Sequence, residues 1–464
     1  MAEAPQELRR IHWSECFNFI HVFRSFRQAI HVNKLVFAFV GILLTYLAGR
    51  LLDFFWVASS QPAIDAHGMN ELAVFIAGGG DRAATLQWLE NLSQGGEVSR
   101  IGCFSLVLHH AMATVNQLID AVLNVSPAGV LGGIREGLLG AVWLVSMHWL
   151  YALLFGVISL LIWGFFGGAL CRTAALHAAR DERITYGEAM SFACRKMLAF
   201  AAAPVLPIVM VVLFGVLLLL GGLIGAIPAI GEVFVGLLFF LALLLGLAIA
   251  FLLIGLAAGF GMSFPTIAVE NSDAFDALSR IGAYVFGRPW RTALYYLSAL
   301  VHGAICLAFV KLLARIMLWS VHFFLGLSMN LGGAFQADSD APRAAKLDAI
   351  WQAPALIGGD TTFYGSFGET KLAHFSAFGQ FLIKGWVYGV WGLVAAVAVS
   401  YFFCANTIIY LLLRREVDAT DMEDVYLDDL NDETATPPSP GAPPGGSGSG
   451  GAGASGGTSL PVIG

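Results

Sequence analysis

Long apolar runs, separated by shorter polar segments, dominate the pattern of this chain. A helix needs roughly 20 residues to cross the hydrocarbon core of a membrane, and six of the runs are longer than that. They are residues 35–57, 139–168, 198–226, 231–262, 292–320 and 381–412. The runs are apolar throughout rather than at alternate positions, which predicts helices and excludes the strands of a membrane barrel. We therefore expect an all-α integral membrane protein with about six transmembrane helices.

The composition agrees with a chain that is surrounded mostly by lipid. Of its 464 residues, 58% are hydrophobic and only 12% are charged, and the mean hydropathy is +0.75. The net charge of −7 comes from one stretch, because nine of the 32 acidic residues lie within residues 416–433. The rest of the chain has 25 basic and 23 acidic residues. This near balance argues against a nucleic-acid partner.

The basic residues indicate the orientation in the membrane. They are concentrated before the first run, between the second and third, between the fourth and fifth, and after the sixth. Cytoplasmic loops carry the excess of Lys and Arg, which predicts a multi-pass protein of the cell (inner) membrane with both termini in the cytoplasm.

The same pattern divides the chain into three parts. Residues 1–34 are a cytoplasmic amphipathic segment, and residues 35–415 are the six-span domain, with external segments at about 59–138 and 328–380. Residues 416–464 are an acidic and then Pro/Gly/Ser-rich tail, whose composition predicts disorder.

A short amphipathic helix is predicted before each odd-numbered span. Before the third span, Thr185 and Glu188 have the spacing of a capping box. Before the fifth span, Asn271 or Ser272 is expected to cap a helix that ends at Gly287. Before the first span, apolar side chains recur at three- to four-residue steps, at Trp13, Phe17, Ile20, Phe23 and Ile30.

These segments, which we call elbow helices, group the chain into three repeats of an elbow helix and a helical hairpin. The alternative remains open that basic, amphipathic character is common before any span and implies no repeat. Basic amphipathic helices bind the membrane interface, so we expect contact with anionic lipids of the inner leaflet. The residues predicted to make it are Arg24, Arg27, Lys34, Arg195, Lys196, Arg288 and Arg291.

Two runs of sequence carry a family resemblance. They are GGALCRTAALHAARDERITYGEAMSFACR at 167–195 and FPTIAVENSDAFDALSRIGAYVFGRPWR at 264–291. They resemble the bacterial six-span proteins grouped around the membrane domain of glycerophosphoryl diester phosphodiesterases and related families of unknown function. The resemblance implies an architecture. In the fused members a separate soluble barrel carries the phosphodiesterase chemistry, and this chain has no such domain, so the resemblance implies no phosphodiesterase activity.

Charged residues near the predicted external ends of the spans form a candidate site. Arg50 and Asp53 lie one turn apart, Lys311 and Arg315 share a helix face, and Lys384 begins the sixth span. If they converge, they form a cationic pocket for an anion or a lipid headgroup. The alternative is that each side chain reaches the interface or pairs locally.

Histidines and glycines inside the spans are further candidates, for ion binding and for helix packing respectively. His148 and His302 are candidates for proton transfer or ion binding, although a lone histidine in an apolar helix is more often internally hydrogen-bonded. Small residues four apart let helices approach closely. The pairs predicted to pack in this way are Gly221 with Gly225, Gly255 with Gly259, and Gly385 with Gly389.

No motif of a catalytic, cofactor or metal site stands in the sequence. We therefore expect a protein without enzymatic activity and without a cofactor, either a lipid-interacting organiser or a partner subunit. Its acidic tail would then recruit a cytoplasmic protein. The alternative function is a transporter or channel for a small solute or anion, but few polar groups lie near the middle of the spans.

Overall fold

The computed structural model describes residues 18–60, 69–94, 99–228, 230–332, 346–354, 365–367 and 374–427. The predictions for residues 1–17, including Trp13 and Phe17, lie outside the described residues, as do those for the tail from residue 428. The chain divides into two units, 1–425 and 426–464, and every feature below belongs to the first unit.

The described residues form sixteen α-helices, two short strands and two 3-10 turns, Asn18–Phe23 and Phe260–Met262. The strands pair antiparallel, with Val57 opposite Gly102. In chain order the helices and strands are α1 (Arg24–Ala29), α2 (Val32–Leu52), β1 (Val57–Ser60), α3 (Glu71–Ala77), α4 (Arg82–Gln94), β2 (Ser99–Gly102), α5 (Cys103–Leu123), α6 (Pro127–Met147), α7 (Trp149–Arg180), α8 (Tyr186–Arg195), α9 (Met197–Ala202), α10 (Leu206–Gly225), α11 (Ile230–Gly259), α12 (Ser263–Glu270), α13 (Ala274–Gly287), α14 (Pro289–Gly332), α15 (Lys346–Ile350) and α16 (His374–Val417).

Eight helical segments of the described chain are long and apolar enough to cross a membrane. They are α2, α5, α6, α7, α10, α11 continuing into α12, α14 and α16. The chain is accordingly an all-α membrane protein with several long apolar helices. Seven of the segments overlap the predicted spans, since α6 and α7 both overlap 139–168. The segment 59–138 that was expected to be external contains all of α5 and residues 127–138 of α6.

The second predicted span, 139–168, is not one helix. The chain leaves helical geometry at His148, between α6 and α7, with φ −130° and ψ 49°. His148 Nε2 lies 3.2 Å from the carboxylate of Glu71, which is buried. No proline or glycine marks this break in the sequence. The partner of His148 at the break is 77 positions away along the chain.

The elbow helices begin and end mostly as the sequence indicates. The capping box of Thr185 and Glu188 is formed at α8, and α13 ends at Gly287. The predicted cap of α13 was wrong, because Asp273 accepts from the N–H of Asp276 and is the N-cap. Asn271 instead ends α12 in the left-handed region at φ 56°, which Asn tolerates better than most residues.

The largest buried cluster lies at one end of the bundle, where the ends of α2, α7 and α16 meet α1, α8, α12 and α13. We call this end, which contains Lys34, Arg172 and Arg414, the basic end. Arg172 is buried there, donates to Ala268 O at 2.9 Å, and stacks on the ring of Phe192. The basic end is therefore a packed structure, with charged groups held between helices by specific partners.

The hairpin of α10 and α11 is the opposite case. Its two helices are the most apolar of the eight, yet no residue in the most apolar 18-residue stretch of either is buried by the protein. The helices pack on each other and, beyond that, chiefly on α13 and the turn at Phe260–Met262. Such surfaces are stable only against lipid, which agrees with a membrane environment.

Candidate functional site: a charged cavity at the basic end

A cavity of about 1020 Å³ opens at the basic end, between the N-terminal described segment and the end of α7. Three guanidinium groups line it, from Arg24, Arg27 and Arg180. Ile20 and Phe23 form an apolar part of its wall. The remaining polar lining comes from Gln28, His177, Asp181, Glu182 and Glu423.

Packing of α1 against α16 determines which α1 side chains face the cavity. Ser25, Gln28 and Ala29 are buried, and Ser400 Oγ donates to Ala29 O at 2.8 Å. Arg24 and Arg27, three residues apart, remain exposed on one side of α1. Within the described part of the chain, neither guanidinium has an ion pair or hydrogen bond to another side chain. The cavity therefore has two cations available to a ligand.

A chain of three polar groups positions a carboxylate at the rim of this cavity. Lys34 is fully buried, and its Nζ lies 3.2 Å from His177 Nδ1. An ammonium group can only donate, so Nδ1 accepts and the ring proton resides on Nε2. Nε2 then donates to Asp181 Oδ1 at 3.2 Å. Asp181 ends α7 at φ 57°, a conformation that brings its carboxylate back over the last turn.

Gln28 adds an acceptor without a donor. Its side chain lines the cavity although the residue is only 5% exposed, and its Oε1 meets no hydrogen-bond donor among the described residues. A buried polar atom without a partner costs about 1–3 kcal/mol, so such atoms normally have one. Sequence reasoning missed Gln28, because its burial and its unpaired oxygen are visible only in the structure.

Residues 418–425, which we call the C-terminal strap, close one side of the cavity. Arg414 is buried and donates to the backbone oxygens of Asp421, at 3.0 Å, and of Asp424. Arg180 Nε donates to Glu423 O at 3.1 Å. These bonds hold the strap through its backbone, so the carboxylate of Glu423 is available to the cavity.

The other cations predicted to contact the inner leaflet are placed differently from one another. Lys34 is buried, which leaves no surface for a headgroup contact and corrects that prediction. Lys196 Nζ donates to Asn271 O at 2.7 Å, and Arg291 pairs with Glu416 at 2.9 Å. Arg195 and Arg288 are exposed.

Arg50 and Asp53, at the opposite end of the bundle, have a structural role. The Asp53 carboxylate accepts from Phe104 N at 2.7 Å and from Ser105 N at 3.2 Å, so it caps the start of α5. Arg50 NH1 lies 3.4 Å from Asp53 Oδ2 and donates to Ser105 Oγ at 2.6 Å. The two residues form a local ion pair, which is the alternative stated for them from the sequence, and they join α2 to α5.

The described contacts do not bring the five predicted charged residues into one pocket. Lys311 donates to Asn116 of α5, and Lys384 lies 5.6 Å from the centre of the Phe367 ring. Asn116 follows Ser105, the partner of Arg50, by 11 residues, or roughly 16 Å of helix. Arg315 lies one turn beyond Lys311 on α14.

Both histidines are packed against named partners. His148 pairs with Glu71, whose carboxylate also accepts from Trp143 Nε1 at 3.3 Å. His302 Nδ1 lies 3.2 Å from the hydroxyl of Tyr401, and its ring contacts that of Phe23. In the part of the chain that the structure describes, no group of three or more His, Cys, Asp or Glu could hold a metal ion.

The predicted glycine pairs meet different surroundings. A Cβ at Gly259 would overlap Ile281, at Gly225 it would lie 3.1 Å from Val235, and at Gly255 it would lie 3.7 Å from Phe286. At the other three glycines of these pairs, an added Cβ would meet no described atom within 4 Å; these are Gly221, Gly385 and Gly389.

Comparison of the chain with protein-family models, curated proteins and solved structures gives no match. The resemblance to the membrane domain of glycerophosphoryl diester phosphodiesterases therefore stays a prediction, and the functional argument depends on the cavity.

Proposed function

We propose that this is a lipid-interacting membrane protein, an organiser or partner subunit without catalytic activity, whose basic end binds anionic lipid headgroups. The observation that carries the proposal is the placement of Arg24, Arg27 and Arg180 around one open cavity. Guanidinium groups bind phosphate oxygens in a bidentate manner, and this is the chemistry a phospholipid offers. The acidic run beyond the strap falls outside the described residues, and we assign it to a cytoplasmic protein partner.

Apolar side chains beside these arginines support contact with a membrane rather than with water alone. Phe23 and Ile30 are each 46% exposed, on the segment that carries Arg24 and Arg27. An interfacial helix places such side chains in the acyl boundary while its cations contact headgroups. The first elbow helix has both the exposed apolar side chains and the cations within eight residues.

We further propose that the protein has six spans in three repeated units, with the basic end and both termini in the cytoplasm. In this arrangement the α5–α6 hairpin is a cap on the outer face. Polar groups at the middle of the hairpin support a cap: His110 lies 3.1 Å from Glu136 O, and Gln117 lies 3.4 Å from the Glu136 carboxylate. Arg135 is adjacent, and such groups are costly in hydrocarbon.

Cysteine labelling distinguishes six spans from eight. Val125, between α5 and α6, is 84% exposed and suits a Val125→Cys variant in a chain whose native cysteines are replaced. With an impermeant maleimide on sealed vesicles, we expect it to react from the same side as Phe54→Cys. Labelling instead from the side of Arg183→Cys would mean that α5 and α6 cross the membrane.

Charge reversal tests the lipid-binding proposal. Each cation near an anionic surface contributes about 1 kcal/mol, so Arg24→Glu with Arg27→Glu should lower retention of phosphatidylglycerol by at least about tenfold. The assay is lipid retention by the full chain in nanodiscs at low and high salt. Arg183→Glu, an exposed residue outside the cavity, is the matched control. Equal retention by all three chains would contradict the proposal.

A further inference from the structure

The cavity offers hydrogen-bond acceptors as well as cations. The acceptors belong to three different parts of the structure: Gln28 of α1, Asp181 at the end of α7, and Glu423 of the strap. A phosphate group alone would use the arginines and be repelled by the carboxylates. The lining therefore fits a ligand that carries a negative group and a positive donor close together.

Gln28 indicates which kind of donor the ligand would carry. Its Oε1 is inaccessible and has no described donor, so a rotation of the amide towards an N–H group of a ligand in the cavity would remove the cost of leaving it unpaired. The amide oxygen can only accept, which excludes phosphate oxygens as its partner.

Asp181 provides the matching charge. Its carboxylate is fixed by the proton on His177 Nε2, which buried Lys34 forces into that position. The side chain is 85% exposed beyond this one bond, so most of its acceptor capacity remains available. Asp181 and Arg180 are consecutive and both line the cavity, so opposite charges are presented side by side.

From this arrangement we propose that the cavity binds a phosphate linked to a primary ammonium group, as in phosphoethanolamine. The phosphate contacts Arg24, Arg27 and Arg180, and the ammonium group donates to Gln28 Oε1 and Asp181. The inference rests on the proposed lipid-binding function and extends it from anionic headgroups to a zwitterionic one, whose phosphate uses the same arginines. The same chemistry is available from a phosphatidylethanolamine headgroup and from free phosphoethanolamine.

The decisive comparison is between ethanolamine and choline headgroups. Both carry a phosphate and a positive nitrogen, but the choline nitrogen has no N–H donor. The full chain in nanodiscs should retain phosphatidylethanolamine over phosphatidylcholine by about tenfold, as expected for a charge-assisted hydrogen bond. Equal retention of the two lipids by the wild-type chain, together with equal binding of free phosphoethanolamine and phosphate, overturns this inference. It leaves the proposed function standing if charge reversal at Arg24 and Arg27 still lowers phosphatidylglycerol retention.

Two variants locate the preference in the cavity. Gln28→Leu removes a buried acceptor that has no described protein partner, so the chain should remain folded while the preference for ethanolamine disappears. Asp181→Asn keeps an oxygen for His177 and removes the charge, and should weaken the preference as well. Arg183→Glu should leave it unchanged. A preference that persists in both cavity variants also overturns the inference.

Soluble ligands identify the source. Phosphoethanolamine, inorganic phosphate and ethanolamine are titrated separately into the full chain in phosphatidylcholine nanodiscs. Binding of phosphoethanolamine at least about tenfold tighter than phosphate indicates that a free ligand suffices. Competition only by phosphatidylethanolamine indicates the lipid as the source. Either result supports the proposed chemistry, whereas equal binding of phosphate and phosphoethanolamine, with no preference among lipids, refutes it.

Discussion

Arg414 is the residue whose loss should release the C-terminal strap. Its guanidinium pairs with Glu270 at 2.5 Å and donates to two backbone oxygens of the strap. The residue is 2% exposed, and a replacement such as Arg414→Met removes the donor of all three bonds without adding another. The variant tests whether one buried cation holds the strap on the basic end.

The magnitude follows from what remains around Glu270. Removing one partner of a buried ion pair costs about 3–5 kcal/mol. Here the Tyr410 hydroxyl still donates to Glu270 at 3.1 Å, and Arg280 remains 3.8 Å away. We therefore expect the free energy of unfolding to fall by about 3 kcal/mol, at the lower end of that range. Adding Glu270→Gln should recover at least about 0.5 kcal/mol, because a neutral amide costs less than a carboxylate to leave without its nearest cation.

Urea unfolding in detergent micelles, followed by tryptophan fluorescence, measures this change. Hydrogen exchange of the strap amides, read by mass spectrometry, should accelerate in Arg414→Met. The matched control is Arg415→Met, which changes the exposed neighbour and should stay within about 0.5 kcal/mol of wild type. The reasoning is refuted if the two variants have equal stability and equal exchange in the strap.

Other contacts give predictions of the same kind. Replacing Glu71 by Leu should lower the free energy of unfolding by about 2–3 kcal/mol, since the Trp143 indole N–H and the Ser59 backbone N–H lose their acceptor. A thermal melt unchanged from wild type would contradict this. Gly259→Leu should destabilise by at least about 1–3 kcal/mol through overlap with Ile281, while Gly246→Leu, where a Cβ meets no described atom within 4 Å, should be neutral in the same melt. Burial, followed by the Asp418 carboxylate, raises the pKa of Tyr284 to about 12 from its ordinary 10.0. The contribution of the neutral Tyr284 hydroxyl to stability is therefore complete below pH 10 and is lost as the pH rises towards 12. In urea melts between these pH values, Tyr284→Phe should lose less stability than wild type. An equal fall of stability with pH in the two proteins would argue against this.

The helices of this protein were predictable where one local rule determines them. The capping box at Thr185 and the Gly287–Pro289 boundary depend on neighbouring residues, and both were predicted correctly. At the break, His148 contacts Glu71, which is far away in sequence, and no local signal predicts this contact. Asp273, and not Asn271, caps α13, since Asn271 lies at the end of α12 in the left-handed conformation.

The candidate site was predictable only in part, because charge can be read from the sequence and burial cannot. Arg24 and Arg27 were predicted to contact the inner leaflet; the structure shows them exposed on α1, and the lipid contact stays a prediction. Lys34 has the same charge and a similar position, yet it lies inside the protein against His177. Gln28 became a candidate only because the structure shows it in the lining of the cavity with a buried, unpaired oxygen.

The α10–α11 hairpin has a consequence for the thickness of the surrounding bilayer. The 20 residues of α10 extend roughly 30 Å, close to an average hydrocarbon core, whereas the 30 residues of α11 extend roughly 45 Å. Since the two helices are paired and little else supports them, α11 must tilt or leave the hydrocarbon at one end. Its Gly259 end is anchored beside Ile281. A thicker membrane would therefore accommodate more of α11, and bilayer thickness would set the strain on the connection to the basic end.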